Sequence, residues 1–122
     1  MGIAVPGSIA AKMLYPERKV LAVTGDGGFM MNCQEIETAV RMNVPIVVLV
    51  MRDDSYGLIK WKQDDRFGDH CFVDFTNPDF VKMAENMHAV GLRVDKTEDL
   101  KDVLEQAFAS GKVCIIDCPV DY

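Results

Sequence analysis

Thr24-Gly25-Asp26-Gly27-Gly28-Phe29 places three glycines around one acid, between a short apolar run and a helical pattern. Glycines let a backbone come close to a ligand, and the free N–H groups at a helix start attract an anion. The same residues also make an ordinary tight strand-to-helix turn, and a glycine-rich turn alone does not decide between the two. A dinucleotide fingerprint, Gly-x-Gly-x-x-Gly, would need glycine at position 30, where Met30 stands. Asp26 lies inside the turn, where a phosphate would sit. A carboxylate 4 Å from a phosphate charge costs about 4 kcal/mol at an effective dielectric near 20. A divalent cation between them turns that repulsion into attraction, and Mg²⁺ takes one or two carboxylates together with phosphate oxygens. The acid therefore argues for a metal-bridged diphosphate, which calls for a second oxygen donor at the neighbouring strand end. Asp53 and Asp54 stand there, directly after an apolar run. Either could be a solvated loop residue, but acids at two adjacent strand ends favour a shared cation.

These turns need a scaffold, and the periodicities supply one. Val20–Val23, Ile46–Met51 and Val113–Ile116 are continuous apolar runs, with a weaker one at Ala89–Val94. Unbroken runs fit strands covered on both faces, as in a parallel sheet. Between them, Phe29, Cys33, Ile36 and Val40 recur at helical spacing, as do Leu100, Val103, Leu104, Ala107 and Phe108. The sequence places an N-cap at Thr97 and a stop at Gly111. Asn77-Pro78-Asp79 reads as a further helix start, with Asn at the cap and Pro at the first position. Gly7–Leu14 is expected to be helical. Alternating strands and helices imply a doubly wound α/β domain, a parallel sheet with helices on both faces. Ligands in such sheets bind beyond the carboxyl ends of the strands, which confines the chemistry to Thr24–Gly28 and Arg52–Gly57.

The 122 residues are the length of one domain, and 49% apolar with 26% charged is an ordinary globular balance. A net charge of −6 disfavours a nucleic-acid or anionic-membrane surface, since both need a basic footprint. No apolar run approaches the length of a membrane span, and the first residues lack the basic stretch of a signal peptide, so a cytoplasmic setting is expected. Cys33, Cys71, Cys114 and Cys118 form no Cys-x-x-Cys pair, which disfavours zinc or a disulfide framework.

With these residues in place, the sequence resembles the thiamine diphosphate enzymes, whose cofactor motif begins Gly-Asp-Gly and ends, after a helix and a strand, in a tandem Asn pair. Gly25-Asp26-Gly27 matches the start, and Asp53 follows Asp26 by 27 positions, in keeping with the family's spacer. Gly2–Gly7, Glu35–Arg41 and Pro119–Tyr122 also look like the acetolactate synthase branch, particularly its catabolic type. The resemblance covers essentially the whole chain and implies the thiamine diphosphate-binding fold. It implies that Asp26 and Asp53 bind Mg²⁺ through their carboxylates and Ser55 through its backbone carbonyl. Gly25, Gly27 and Gly28 would offer N–H groups to the diphosphate, while Tyr56, Gly57 and Leu58 line the turn beside the cofactor. Asp53 stands in place of the second Asn, as it does in catabolic acetolactate synthases, whereas Arg52 in place of the first is a departure.

Family members are several times longer, so the resemblance makes residues 1–122 a C-terminal cofactor-binding domain from a longer enzyme. The glutamate that activates the cofactor comes from another domain, of a different subunit, and no glutamate here matches its motif. No catalytic residue is therefore assigned, and the domain alone is expected to be inactive, to bind the cofactor poorly and to be loosely ordered from Arg52 to Gly68. The implied enzyme decarboxylates pyruvate and joins the two-carbon unit to a second pyruvate, as a homodimer or homotetramer. Another thiamine diphosphate-dependent 2-oxo acid decarboxylase or carboligase is the alternative. A Mg²⁺-binding phospho-receiver-like domain also puts acids at strand ends, but it needs a lysine at the end of a later strand, whereas Lys112 begins one. Trp61 either covers the site or packs. Lys62–His70 reads as a mobile solvated loop, Lys60 and Lys62 as solvated charges, and His70 and His88, with no partner acids or cysteines at ligand spacing, as surface or satisfied histidines.

Overall fold

The computed structural model describes residues 1–121. The chain begins with α1 (Ala4–Leu14), followed by β1 (Leu21–Gly25), α2 (Asp26–Met30), α3 (Glu35–Arg41) and β2 (Val47–Arg52). It continues through α4 (Gly57–Phe67), α5 (Phe80–Asn86), β3 (Val90–Arg93), α6 (Leu100–Ala109) and β4 (Cys114–Pro119). The strands form one parallel sheet in the order β1-β2-β4-β3, with Val23 opposite Leu49 and Leu49 opposite Ile116. Parallel pairing in this order brings the carboxyl ends of all four strands to one edge. The expected doubly wound arrangement is what forms.

Strand alternation divides the core into two layers. Val48, Val50 and Ile115 face one side, packed under α1, α2, α3 and α5 through Val5, Ile9, Phe29, Ile36, Ala39, Phe80 and Ala84. Phe29 and Phe80 meet edge to face, their centroids 5.4 Å apart. Val47, Leu49, Cys114 and Ile116 face the other side, against Ala107, Leu104 and Val103 of α6. Each fully buried aliphatic side chain contributes about 1.5–3 kcal/mol to the folded state. The cover is unequal, because one helix cannot span four strands. On β1 only Ala22 is buried, while Leu21 and Val23 are exposed, Val23 by 57%. The apolar run at Val20–Val23 is thus an edge strand bare on one face, not one covered on both.

Other boundaries move for identifiable reasons. The stripe from Phe29 to Val40 is split by a turn at residues 31–34, where Glu35 and Ile36 donate three residues back, to Asn32 and Cys33. Asn32 anchors that turn by donating to the Gly2 carbonyl at 2.8 Å, a tertiary contact that local periodicity does not report. Thr97 is not a cap but opens a short 3-10 turn, Thr97–Asp99, ahead of α6. Asn77 is not a cap either, since the Asp79 side chain accepts from the Val81 and Lys82 N–H groups and α5 begins at Phe80. Gly111 closes the α6 turn at φ +63°, as expected. Most of Lys62–His70 is helix rather than loop, and it ends at Gly68 with φ +74°, a conformation that glycine takes without cost.

Candidate functional site

Both acidic turns emerge at the carboxyl edge. β1 runs on through Thr24 and Gly25, so the glycine turn is the strand end itself, and Asp26 opens α2. Asp26 is 1% exposed, and its burial requires that its oxygens be occupied. Oδ1 accepts from the Gly27 N–H at 2.7 Å. Oδ2 accepts from the Asp54 N–H at 2.9 Å and from the Asn77 side-chain amide at 2.6 Å. The tip of β1 is therefore bonded directly to the tip of β2.

At the second turn, the Asp53 Oδ1 accepts from the Ser55 N–H at 3.3 Å. Asp54 adopts φ +56°, a left-handed conformation that Asp tolerates better than most residues. The segment 73–75 holds this turn from outside. Tyr56 N–H donates to the Val73 carbonyl, Phe75 N–H donates to the Asp54 carbonyl, and the Tyr56 and Phe75 rings lie 4.8 Å apart. Two glycines are required by close approach. A Cβ on Gly27 would stand 2.6 Å from the Tyr56 ring, and one on Gly57 would stand 2.6 Å from Asp53 Oδ2. Any side chain there would displace the ring or the carboxylate.

All nine residues singled out from the sequence, Gly25, Asp26, Gly27, Gly28, Asp53, Ser55, Tyr56, Gly57 and Leu58, line one cavity of about 940 Å³. Trp61, Val23, Met51 and the N-terminal residues Met1–Ala4 line it too. Trp61 is 64% exposed and Leu58 66%, so one wall is apolar and open. The donors suit a hard divalent cation: two carboxylates, of which Asp53 receives a single backbone hydrogen bond, beside the Ser55 backbone. Among the described residues no three His, Cys, Asp or Glu side chains form a metal cage. An ion here would take a carbonyl and phosphate oxygens as its remaining ligands, as Mg²⁺ does.

A second cavity, of about 460 Å³, contains groups that sequence reasoning did not connect. Arg52 donates from Nη1 to Asp54 and from Nε to Asp117, both at 2.9 Å. Arg93 donates to the other Asp117 oxygen at 3.0 Å, and its Nη2 also lies 3.4 Å from Asp79. The Asp117 hydrogen bond is the main reason the Arg52 guanidinium is held even further above its normal range, with burial working against it. Arg52, out of place beside the tandem Asn pattern, is thus the counterion of a buried acid on β4. Asn77 completes the chain, donating to Asp26 and, at 2.8 Å, to Asp54. The sequence reads Asn77 as a helix cap, a role that Asp79 takes instead, which leaves the Asn77 amide for the two carboxylates.

His70 has the acidic partners that sequence spacing hid. Its Nδ1 is 2.7 Å from Asp64 of α4 and its Nε2 is 3.3 Å from Asp74, which also accepts from Lys60 at 2.8 Å. Asp74 in turn forms an antiparallel bridge with Ser55. The hydrogen bond to Asp64, aided by the negative charge of Asp64 and Asp74 and opposed by desolvation and Lys60, raises the imidazole above its usual range. Lys112 precedes β4, at the edge opposite the acids, so the lysine of a phospho-receiver is not at the site.

A parallel α/β sheet with an acidic glycine turn at its carboxyl edge defines a class of ligand-binding domains. The family model described as thiamine pyrophosphate enzyme, C-terminal TPP binding domain, matches residues 1–118, and the chain belongs to that family. It is 43% identical over 122 residues to an acetolactate synthase of Bacillus subtilis (strain 168), covering all of this chain and 21% of that protein. It is 44% identical over 110 residues to a pyruvate oxidase of Lactiplantibacillus plantarum, covering 89% and 18%. A catabolic acetolactate synthase of Raoultella terrigena is 34% identical over 122 residues, 100% of this chain and 22% of its own. The chain therefore spans about a fifth of the length of these relatives. Its fold superimposes with a TM-score of 0.92 on the Rhodococcus jostii RHA1 thiamine diphosphate-dependent 4-hydroxybenzoylformate decarboxylase, at 23% identity, covering 100% of this chain and 23% of that one. No helix among the described residues is long and apolar enough to cross a membrane.

Proposed function

We propose that this domain holds the diphosphate end of thiamine diphosphate through Mg²⁺, within a longer acetolactate synthase-like enzyme acting on pyruvate. The observation that carries the reading is the meeting of Asp26 and Asp53, from adjacent strand ends, at one glycine-lined cavity. Asp26, Asp53 and the Ser55 carbonyl would hold the metal, with N–H groups of Gly25, Gly27 and Gly28 toward the phosphates. Tyr56, Gly57 and Leu58 would border the rest of the cofactor. The cofactor supplies an electron sink for cleaving and forming carbon–carbon bonds next to a carbonyl. The chain's own residues bind and orient it. The open wall at Leu58 and Trp61 suits closure by another domain, in keeping with a homodimer or homotetramer that supplies the activating glutamate.

Calorimetry on the full-length protein tests the cofactor assignment. Thiamine diphosphate should bind only with Mg²⁺, and Asp26→Ala should abolish binding, whereas unchanged affinity in that variant would refute the assignment. The 44% identity to a pyruvate oxidase favours a second reading, another thiamine diphosphate enzyme of 2-oxo acids. Product analysis separates the two: 2-acetolactate from pyruvate supports the first, and its absence leaves the second.

A further inference from the structure

Asp26 uses its two oxygens unequally. Oδ2 receives two hydrogen bonds, from Asp54 N–H and the Asn77 amide, which fill both of its lone pairs. Oδ1 receives only the Gly27 N–H and keeps one lone pair free. Asp26 lines the larger cavity, whereas Asn77 and Asp54 line the smaller one. The Asn77 amide thus spans two carboxylates, at 2.6 and 2.8 Å, that would otherwise repel each other. It does no work for α5, which Asp79 caps.

We propose that Asn77 is a positioning residue for the metal: by tying Oδ2 of Asp26 to Asp54, it fixes the carboxylate so that Oδ1 is the oxygen presented to Mg²⁺. The inference rests on the reading of Asp26 as a magnesium ligand. Without the amide the Asp26 carboxylate keeps only its two backbone hydrogen bonds, from Gly27 and Asp54, and the Asp54 carboxylate stands beside it unbridged. Losing a partner that orients a metal ligand typically weakens metal binding 10- to 100-fold.

The test titrates Mn²⁺ into full-length protein with thiamine diphosphate, reading free and bound ion by electron paramagnetic resonance. Asn77→Ala, Asn77→Ser and Asp26→Ala are compared with the unaltered protein, and metal-free unfolding midpoints are recorded alongside. Asn77→Ala should weaken Mn²⁺ about 10- to 100-fold and alter the bound ion's line shape. Asn77→Ser, which keeps one hydroxyl donor, should recover part of both. If the alanine variant does not fold, the serine variant decides by the same readouts. Affinity within twofold and an unchanged line shape would overturn the proposal, even if the metal-free midpoint falls, provided Asp26→Ala still abolishes binding. Mn²⁺ binding that survives in Asp26→Ala would instead overturn the magnesium reading on which the proposal stands.

Discussion

Asp117 is 1% exposed on β4, and two arginines from flanking strands meet its two oxygens. A buried carboxylate with one partner removed loses a charge-assisted hydrogen bond and keeps its desolvation cost. Arg52→Ala should therefore lower stability by about 1.5–3 kcal/mol, read from denaturant midpoints. Arg52→Lys should fall between, because a single ammonium does not match the fork that reaches Asp54 and Asp117 together. A loss below about 0.5 kcal/mol on truncation, the range of ordinary surface changes, would mean that Arg93 alone satisfies Asp117. At this scale the sequence was legible where an acid stood out against its surroundings. Asp26 was conspicuous because a phosphate turn should exclude it. The roles of Arg52 and Asn77 were not legible, since their buried partners Asp117 and Asp26 lie 65 and 51 residues away.

The elements tell a parallel story. The α6 stripe and the buried strands β2 and β4 were readable because burial on a helix stripe, or on two strand faces, leaves a periodic trace. β1 misled, because its apolar residues are partly bare. The helical course of Lys62–Phe67 was read as loop, since an exposed helix needs no apolar stripe. What holds its end is electrostatic: His70 bridges Asp64 on α4 and Asp74 in the segment paired to Ser55. The folded-state pKa of His70 lies above its unfolded value, mainly through the Asp64 hydrogen bond. The latch is thus complete below the unfolded value and is lost as pH rises through the raised one. Amide exchange at residues 68–75 should quicken across that range, and His70→Asn should remove the pH dependence. Exchange that ignores pH in the unaltered protein, beyond its intrinsic base dependence, would exclude the latch.

For the whole molecule, the unequal cover of the sheet explains where function can sit. Among the described residues, one face carries four helices and the other only α6, and the site opens where β1 is bare and Val23 joins the cavity wall. Layer order and the parallel sheet were legible because they follow from alternating periods. The cavity's apolar wall was not, because it is assembled from the N-terminal residues, β1 and α4, each unremarkable alone. In the proposed function, one cation joins the tips of β1 and β2 and carries the cofactor's diphosphate. Crystals of the full-length protein grown with Mn²⁺ and thiamine diphosphate measure this directly through anomalous scattering. A peak is expected within coordination distance of both the Asp26 and Asp53 carboxylates, with the Ser55 carbonyl and phosphate oxygens completing the shell. A peak elsewhere, or a bound diphosphate with no cation between those two residues, would contradict it.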